Sequence, residues 1–307
     1  MHLGGFEADS MNRRCALLPI SDPELRCKLF DSLVLPILSY ASEVWGADEK
    51  IGDAAEVLHR QFLKHILGAR DSTANVVVLA ELGRYPLCFH WWQQILRYHN
   101  RINNVSDDER LIQCAFVEGM HDPAHLFWSH KGHSWLQGDS VGLSIEDDLD
   151  VSTVIGTAKN HYAQTWHQSS LSSVARYQPL QPECVLAPYL STVKGFKSRK
   201  LISRFRCGCH CVHVDTGRLL PLTQQVPREQ RHCVFGASGL AEDEHHFVFD
   251  CPAYCAIRSR FTNIFWGPAL TLSSFFTLHD PKVIARFLRE CIEHRNTLVA
   301  AQTGHNL

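Results

Sequence analysis

Between Phe205 and Arg260 the chain gathers six of its twelve cysteines and five of its histidines into about a fifth of its length. Such density constrains the fold, because four thiol or imidazole groups in tetrahedral array can hold a zinc ion and clamp a segment with little apolar surface of its own. Cys233, His246 and Cys251 have the spacing of that kind of clamp, ending in a histidine, four residues and a cysteine. The partner expected three positions after Cys233 is Gly236, which has no side chain to bind a metal. Zinc is therefore the implied cofactor, with three ligands in place and a fourth to be found. Cys255, His232, His245 and a cysteine of the 207–211 group are the substitutes, none at the regular spacing. Without one, affinity should fall by several orders of magnitude from the roughly 10 kcal/mol that a complete site contributes.

Other polar clusters have plainer readings. Cys207, Cys209 and Cys211 alternate with Gly208 and His210, so on a strand the three thiols would share one face. We read them as small core residues rather than as a second metal site. His121, His125, His130 and His133 are irregularly spaced and read as solvated. A three-ligand zinc with Glu242, Asp243, Glu244 and Asp250 close in sequence also describes a hydrolytic centre, a zinc-dependent hydrolase. A structural clamp that has lost one ligand explains the same residues more simply.

The remainder is mostly helical in pattern. Ser21, Asp22, Pro23 and Glu24 make a helix start, followed by an apolar stripe through Leu38 that Pro36 should interrupt. A second helix is expected over 53–67 with Gly68 as its stop, a third ending at Gly83, and a fourth beginning near Pro86. The pattern weakens from Asn103 to Asp150, with one short helix near Leu111 to Glu118, and returns over Val151 to His167. A Ser-, Pro- and Gln-rich link follows to Pro188. With 45% hydrophobic residues the chain can bury one large or two ordinary cores. No apolar run is long enough to span a membrane and the N-terminus lacks a signal-peptide core, so we expect an intracellular protein, cytoplasmic or nuclear, with reduced thiols and no membrane partner.

Two long segments carry a family resemblance. The run ISDPELRCKLFDSLVLPILSYASEVWG with AELGRYPL resembles the thumb region of non-LTR retrotransposon (LINE-type) reverse transcriptases. The later YLSTVKGFKSRKLISRFRCGCHCVHVDTGR, with VPREQRHC and EDEHHFVFDCPAYCAIR, is similar to their C-terminal CCHC-type zinc-knuckle region. The family is an RNA-directed DNA polymerase, but a two-metal mechanism needs clustered palm carboxylates. No aromatic-x-Asp-Asp hairpin exists here, and Ser106-Asp107-Asp108 lies on the wrong side of the thumb-like run. The resemblance thus implies a C-terminal part that lacks the catalytic palm, inactive alone, with a palm supplied upstream or in trans.

That implies a mainly α fold: a tail (1–19), a thumb-like helical bundle (20–102), a helical connector and linker (103–187), then a small α+β region with a basic strand, a short β-hairpin and a degenerate zinc knuckle (188–266), and a C-terminal helix and tail (267–307). The net charge of −2 excludes a polybasic protein, so nucleic-acid contact must come from local patches. Lys194, Lys197, Arg199, Lys200, Arg204 and Arg206 form the densest patch, and Arg218, Arg228, Arg231 and Arg258 surround the knuckle. Phe196, Phe205 and Phe235 could stack on unpaired bases. RNA or DNA is the expected partner. A helical protein-interaction domain with a decayed knuckle, and no catalytic residues, is the alternative.

Overall fold

The computed structural model describes residues 20–46, 49–104, 111, 114, 150–235, 239–265 and 270–304. The expected helix near Leu111 to Glu118, the four histidines at 121–133, the Asp107-Asp108 pair and Gly236 lie outside this set or are only fragmentarily within it. The chain divides into two compact units, whose described parts come from 20, 25–63 and 83–170 for the first and from 21–24, 64–82 and 171–304 for the second.

The first unit is helical. Helix α1 (Pro23–Leu33) opens on proline with Glu24 in its first turn, where a missing N–H costs nothing and a negative charge faces the helix dipole. It stops at Val34 because Pro36 cannot donate back to the preceding turn, and Leu35–Leu38 resumes as a separate turn. Helix α2 (Glu49–Leu67) buries Ala55, His59, Phe62, Leu63 and Ile66 at three- and four-residue steps. Phe30 of α1 stacks on Phe62 at 4.7 Å between centroids. Helix α2 ends at Gly68, whose φ of +64° lets Ala69 N–H reach Lys64 O at 3.0 Å and Gly68 N–H reach His65 O at 3.2 Å. Helix α3 (Asn75–Glu81) belongs to the second unit, and helix α4 (Cys88–Asn103) returns to the first. Trp91 of α4 lies so close over Gly52 that a β-carbon there would stand 2.4 Å from its ring. Helix α5 (Val151–His167) is capped by Asp150, which accepts from Ser152 N–H at 3.0 Å.

In the second unit the Ser-, Pro- and Gln-rich segment is not a free link. It forms helix α6 (Ser172–Tyr177) and a 3₁₀ turn to Leu180, burying Val174, Tyr177 and Leu180. Three well-placed apolar side chains outweigh the loop-like composition around them. The expected basic strand is instead helix α7 (Phe196–Arg206), with Ile202 and Phe205 on its buried face. Its end explains why Cys207, Cys209 and Cys211 are not on a strand. Gly208 adopts φ +63°, Gly208 N–H donates to Phe205 O at 3.3 Å and Cys209 N–H to Arg204 O at 2.8 Å, a helix stop like that at Gly68. Helix α8 (Leu272–Leu278) carries a capping box at Thr271 and Ser274. Helix α9 (Pro281–Gly304), led by Asp280 and Pro281, packs along α7 and buries Ile284, Phe287, Leu288 and Cys291. The described residues are mainly α-helical and contain no extended strand; two isolated antiparallel bridges, Leu82 with Leu186 and His232 with Ala241, are all that stands for the expected hairpin.

At the centre of the second unit Glu81 is 0% exposed. It accepts from Arg206 Nε at 2.7 Å and Nη2 at 3.1 Å, and from the Tyr177 hydroxyl. Arg206 also donates to Gln181 Oε1 at 3.1 Å and faces the Tyr189 ring at 5.4 Å. Burial alone would lower the Arg206 pKa, but the Glu81 carboxylate beside it raises the value above the usual guanidinium range.

Candidate metal centre and arginine cleft

The metal-site residues come from two short pieces of backbone. The first is the single bridge around His232, where Cys233 N–H donates to Leu240 O at 3.0 Å and Glu242 N–H to Arg231 O at 2.8 Å. This holds Cys233 against the unit's interior. The second is a π-helical turn over His246–Asp250, opened by Asp243, whose Oδ1 accepts from His246 N–H at 2.9 Å. In that wide turn Cys251 N–H reaches back five residues to His246 O at 2.8 Å, so the four residues between the two ligands close into one loop. Pro252 follows, and a residue before proline avoids the helical region; Cys251 accordingly turns out at φ −57°, ψ 121°.

The result is a buried trio. The ligand atoms of Cys233, His246 and Cys251 all lie within 4.8 Å of one another, and the two sulfurs are 3.7 Å apart. Two thiolates at about 2.3 Å from a tetrahedral zinc stand roughly 3.8 Å apart, so the spacing fits. Both ring nitrogens of His246 are buried with no hydrogen-bond partner, an arrangement that costs free energy unless something coordinates one of them. Burial, together with the neighbouring Cys233 thiol, pushes the Cys251 thiol up to about 11. A zinc ion bound there would convert the thiols to thiolates and tie the 231–233 segment to the 246–251 turn. The residues present therefore fit a metal.

Among the described residues no fourth histidine, cysteine, aspartate or glutamate joins this group. Cys255 and His232 are exposed outside it, and His245 is an exposed ring bonded through Nδ1 to Asp250 Oδ2 at 3.0 Å. Cys207 and Cys209 are buried elsewhere in the core, and Cys211 is half-buried. The acidic triplet is committed to other work, which weakens it as a source of general base. Glu242 is gripped by both terminal nitrogens of Arg295 and accepts from His213 N–H at 2.9 Å. Asp243 caps the turn. Glu244 receives His210 Nε2 at 2.8 Å and Arg176 Nη1 at 2.6 Å. Val212 N–H donates to His210 Nδ1 at 3.2 Å, which places the ring proton on Nε2, toward the carboxylate. Burial would raise Glu244, but the bonds from His210 and the Arg176 charge pull it down to about 2.

The basic residues sort into three fates. Arg199 and Arg206 are buried, Arg199 donating to Val193 O at 2.8 Å and Arg206 to Glu81, so neither is available to a ligand. Lys194 and Lys197 are exposed at the start of α7, while Arg204 donates to Gly68 O at 2.9 Å. Partial burial, and to a lesser extent the adjacent Arg204 charge, pull the Lys200 ammonium below its usual value. Of the three phenylalanines, Phe205 is buried against Phe247 and cannot stack on bases, Phe196 stays partly exposed near Lys200, and Phe235 lies under the Arg295 guanidinium at 4.9 Å. Arg258 donates to Cys251 O at 2.6 Å, steadying the metal loop.

Arg218, Arg228 and Arg231 converge with Arg176 on one cleft of about 270 Å³. Sequence reasoning missed Arg176, which stands alone in the Ser- and Gln-rich stretch with no basic neighbour to mark it. Its position depends on Gly208: a β-carbon there would lie 1.5 Å from Arg176 Nη2. Gly217 does the same for Arg231, whose Cδ would stand 2.8 Å from an added β-carbon.

Among the described residues no helix is long and apolar enough to cross a membrane. No family model and no solved structure matches the chain. It is 35% identical over 49 residues to a transposon-derived protein of Caenorhabditis elegans, a stretch that spans 16% of this chain and 18% of that one.

Proposed function

We propose that the chain is a nucleic-acid-binding part of a transposon-derived protein, related to the thumb and zinc-knuckle regions of a non-LTR retrotransposon reverse transcriptase and without polymerase activity alone. The observation that carries this reading is the buried Cys233, His246 and Cys251 trio with its unpartnered imidazole, set in the same unit as the arginine cleft. The similarity to a transposon-derived protein agrees with the origin.

In this reading zinc is structural. It clamps the loop that carries Arg228 and Arg231, while Lys194 just before α7 and Lys197 and Lys200 on it add phosphate contacts whose strength falls with salt. RNA or DNA is the partner, and the palm needed for synthesis is supplied by another segment or chain. The test is retention of single-stranded RNA and DNA on a filter at low salt, repeated at rising salt. Binding that weakens linearly on a log–log plot supports the proposal, and no retention at the lowest salt sinks it.

A second reading has its own observation. Leu219, Leu220, Leu222 and Val226 are exposed on consecutive turns, Leu222 at 86%, which suits a protein-interaction surface. A chain that retains no nucleic acid but self-associates or captures a protein through this segment would favour it.

A further inference from the structure

Four guanidinium groups meet in the cleft, and each has five N–H donors. Arg176 spends donors on Glu244 alone, Arg218 on Asp215 and Gly208 O, and Arg231 on Val226 O and Val214 O. Arg228, 48% exposed at its side chain, approaches Asp243 and Glu244 only at 4.0 and 3.8 Å. Most of the donors are therefore unspent. The Arg176 Nε atom is buried with no partner at all.

The charge is also unbalanced. Asp215, 3% exposed at its side chain, is held by Arg218 at 2.6 Å and by Arg70 at 2.6 Å, and Glu244 by Arg176. Counting Arg70, Arg176, Arg218, Arg228 and Arg231 against Asp215, Asp243 and Glu244 leaves an excess of two positive charges. The two buried carboxylates act as struts that aim the guanidinium groups, and they do not neutralise them. Ser72 and Ser173 add hydroxyls to the wall.

We propose that this cleft binds a terminal phosphate monoester of a nucleic-acid strand. A phosphodiester inside a strand carries one charge and two free oxygens, whereas a monoester carries about −1.5 to −2 and three strong acceptor oxygens, which match the excess charge and the spare donors. At about 270 Å³ the cleft lies below the roughly 300–1,000 Å³ of drug-sized sites, room for one phosphate-bearing group and not for a length of strand. The inference rests on the nucleic-acid reading above and adds to it the strand end and Arg176.

The test uses the full chain and one single-stranded RNA sequence made with a 5′-phosphate, with a 3′-phosphate, or with hydroxyls at both ends. One phosphorylated strand should bind about tenfold tighter than the unphosphorylated one, the scale of a charge-assisted bond or two. Arg228→Gln, at an exposed position, should reduce that ratio toward one, while Lys197→Gln should weaken all three strands together and keep the ratio. If the three strands bind wild type equally, the terminal-phosphate proposal is overturned and the nucleic-acid reading stands. If no strand is retained, yet inorganic pyrophosphate raises the melting temperature of wild type and not of Arg228→Gln, the cleft serves a free anion and both the strand-end proposal and the nucleic-acid reading fail.

Discussion

Replacing Glu81 by alanine should be among the most damaging single changes in the second unit, and the structure says why. The carboxylate is 0% exposed, accepts two bonds from Arg206 at 2.7 and 3.1 Å, and receives the Tyr177 hydroxyl. Removing one partner of a buried ion pair costs about 3–5 kcal/mol, because the other charge is left without compensation. Loss of the bond that the Tyr177 hydroxyl gives the carboxylate adds about 1 kcal/mol. A total of about 4–6 kcal/mol approaches the whole stability of an ordinary domain, commonly about 5–15 kcal/mol. Urea unfolding followed by circular dichroism reads the change directly. The double variant Glu81→Leu with Arg206→Met removes both charges and should lie within about 2 kcal/mol of wild type, since apolar replacement of a buried pair is often close to neutral. A Glu81→Ala cost below about 1 kcal/mol, or a double variant as damaged as the single one, would refute the reasoning.

Three further outcomes follow from the same geometry. Glu244 falls from 4.5 to about 2 in the folded chain, so its contribution of about 3 kcal/mol is fully present above pH 4.5 and is lost as pH falls toward 2; acid titration of stability should lose that slope in Glu244→Gln. Gly208→Ala forces an alanine to φ +63° and a methyl to 1.5 Å from Arg176 Nη2, so it should cost at least about 1–2 kcal/mol in a melt and also displace Arg176 from the cleft. Lys194→Gln and Lys197→Gln should each reduce the salt dependence of single-strand binding by about 0.7 in log–log slope, read by fluorescence anisotropy at several salt concentrations.

Much of the helical framework is legible in the residues themselves because its signals are local. Proline at position 23, glycine at 68 and aspartate at 150 each act within one turn, and the structure uses them as helix start, stop and cap. The Cys233, His246 and Cys251 trio is legible for a related reason: a ligand motif fixes spacing in sequence before it fixes geometry in space. What the sequence hides is pairing across distance. Arg206 looks like one more cation of a basic patch, and only the fold brings it to Glu81, 125 residues earlier in the chain. Alternating cysteines suggest a strand, but Gly208 can take a left-handed conformation at no steric cost, and a helix stop wins over the pleat. Arg176 has no local signal of any kind, since its role comes from a gap left by a missing β-carbon.

The most direct test of the clamp is zinc stoichiometry by mass spectrometry on purified chain, wild type against His246→Ala and Cys251→Ser, with a thermal melt of each. A bound metal that ties the bridge at His232 to the π-helical turn predicts about one zinc per wild-type chain, lost in both variants together with a lower melting temperature. Metal-free wild type melting at the same temperature as both variants would contradict it.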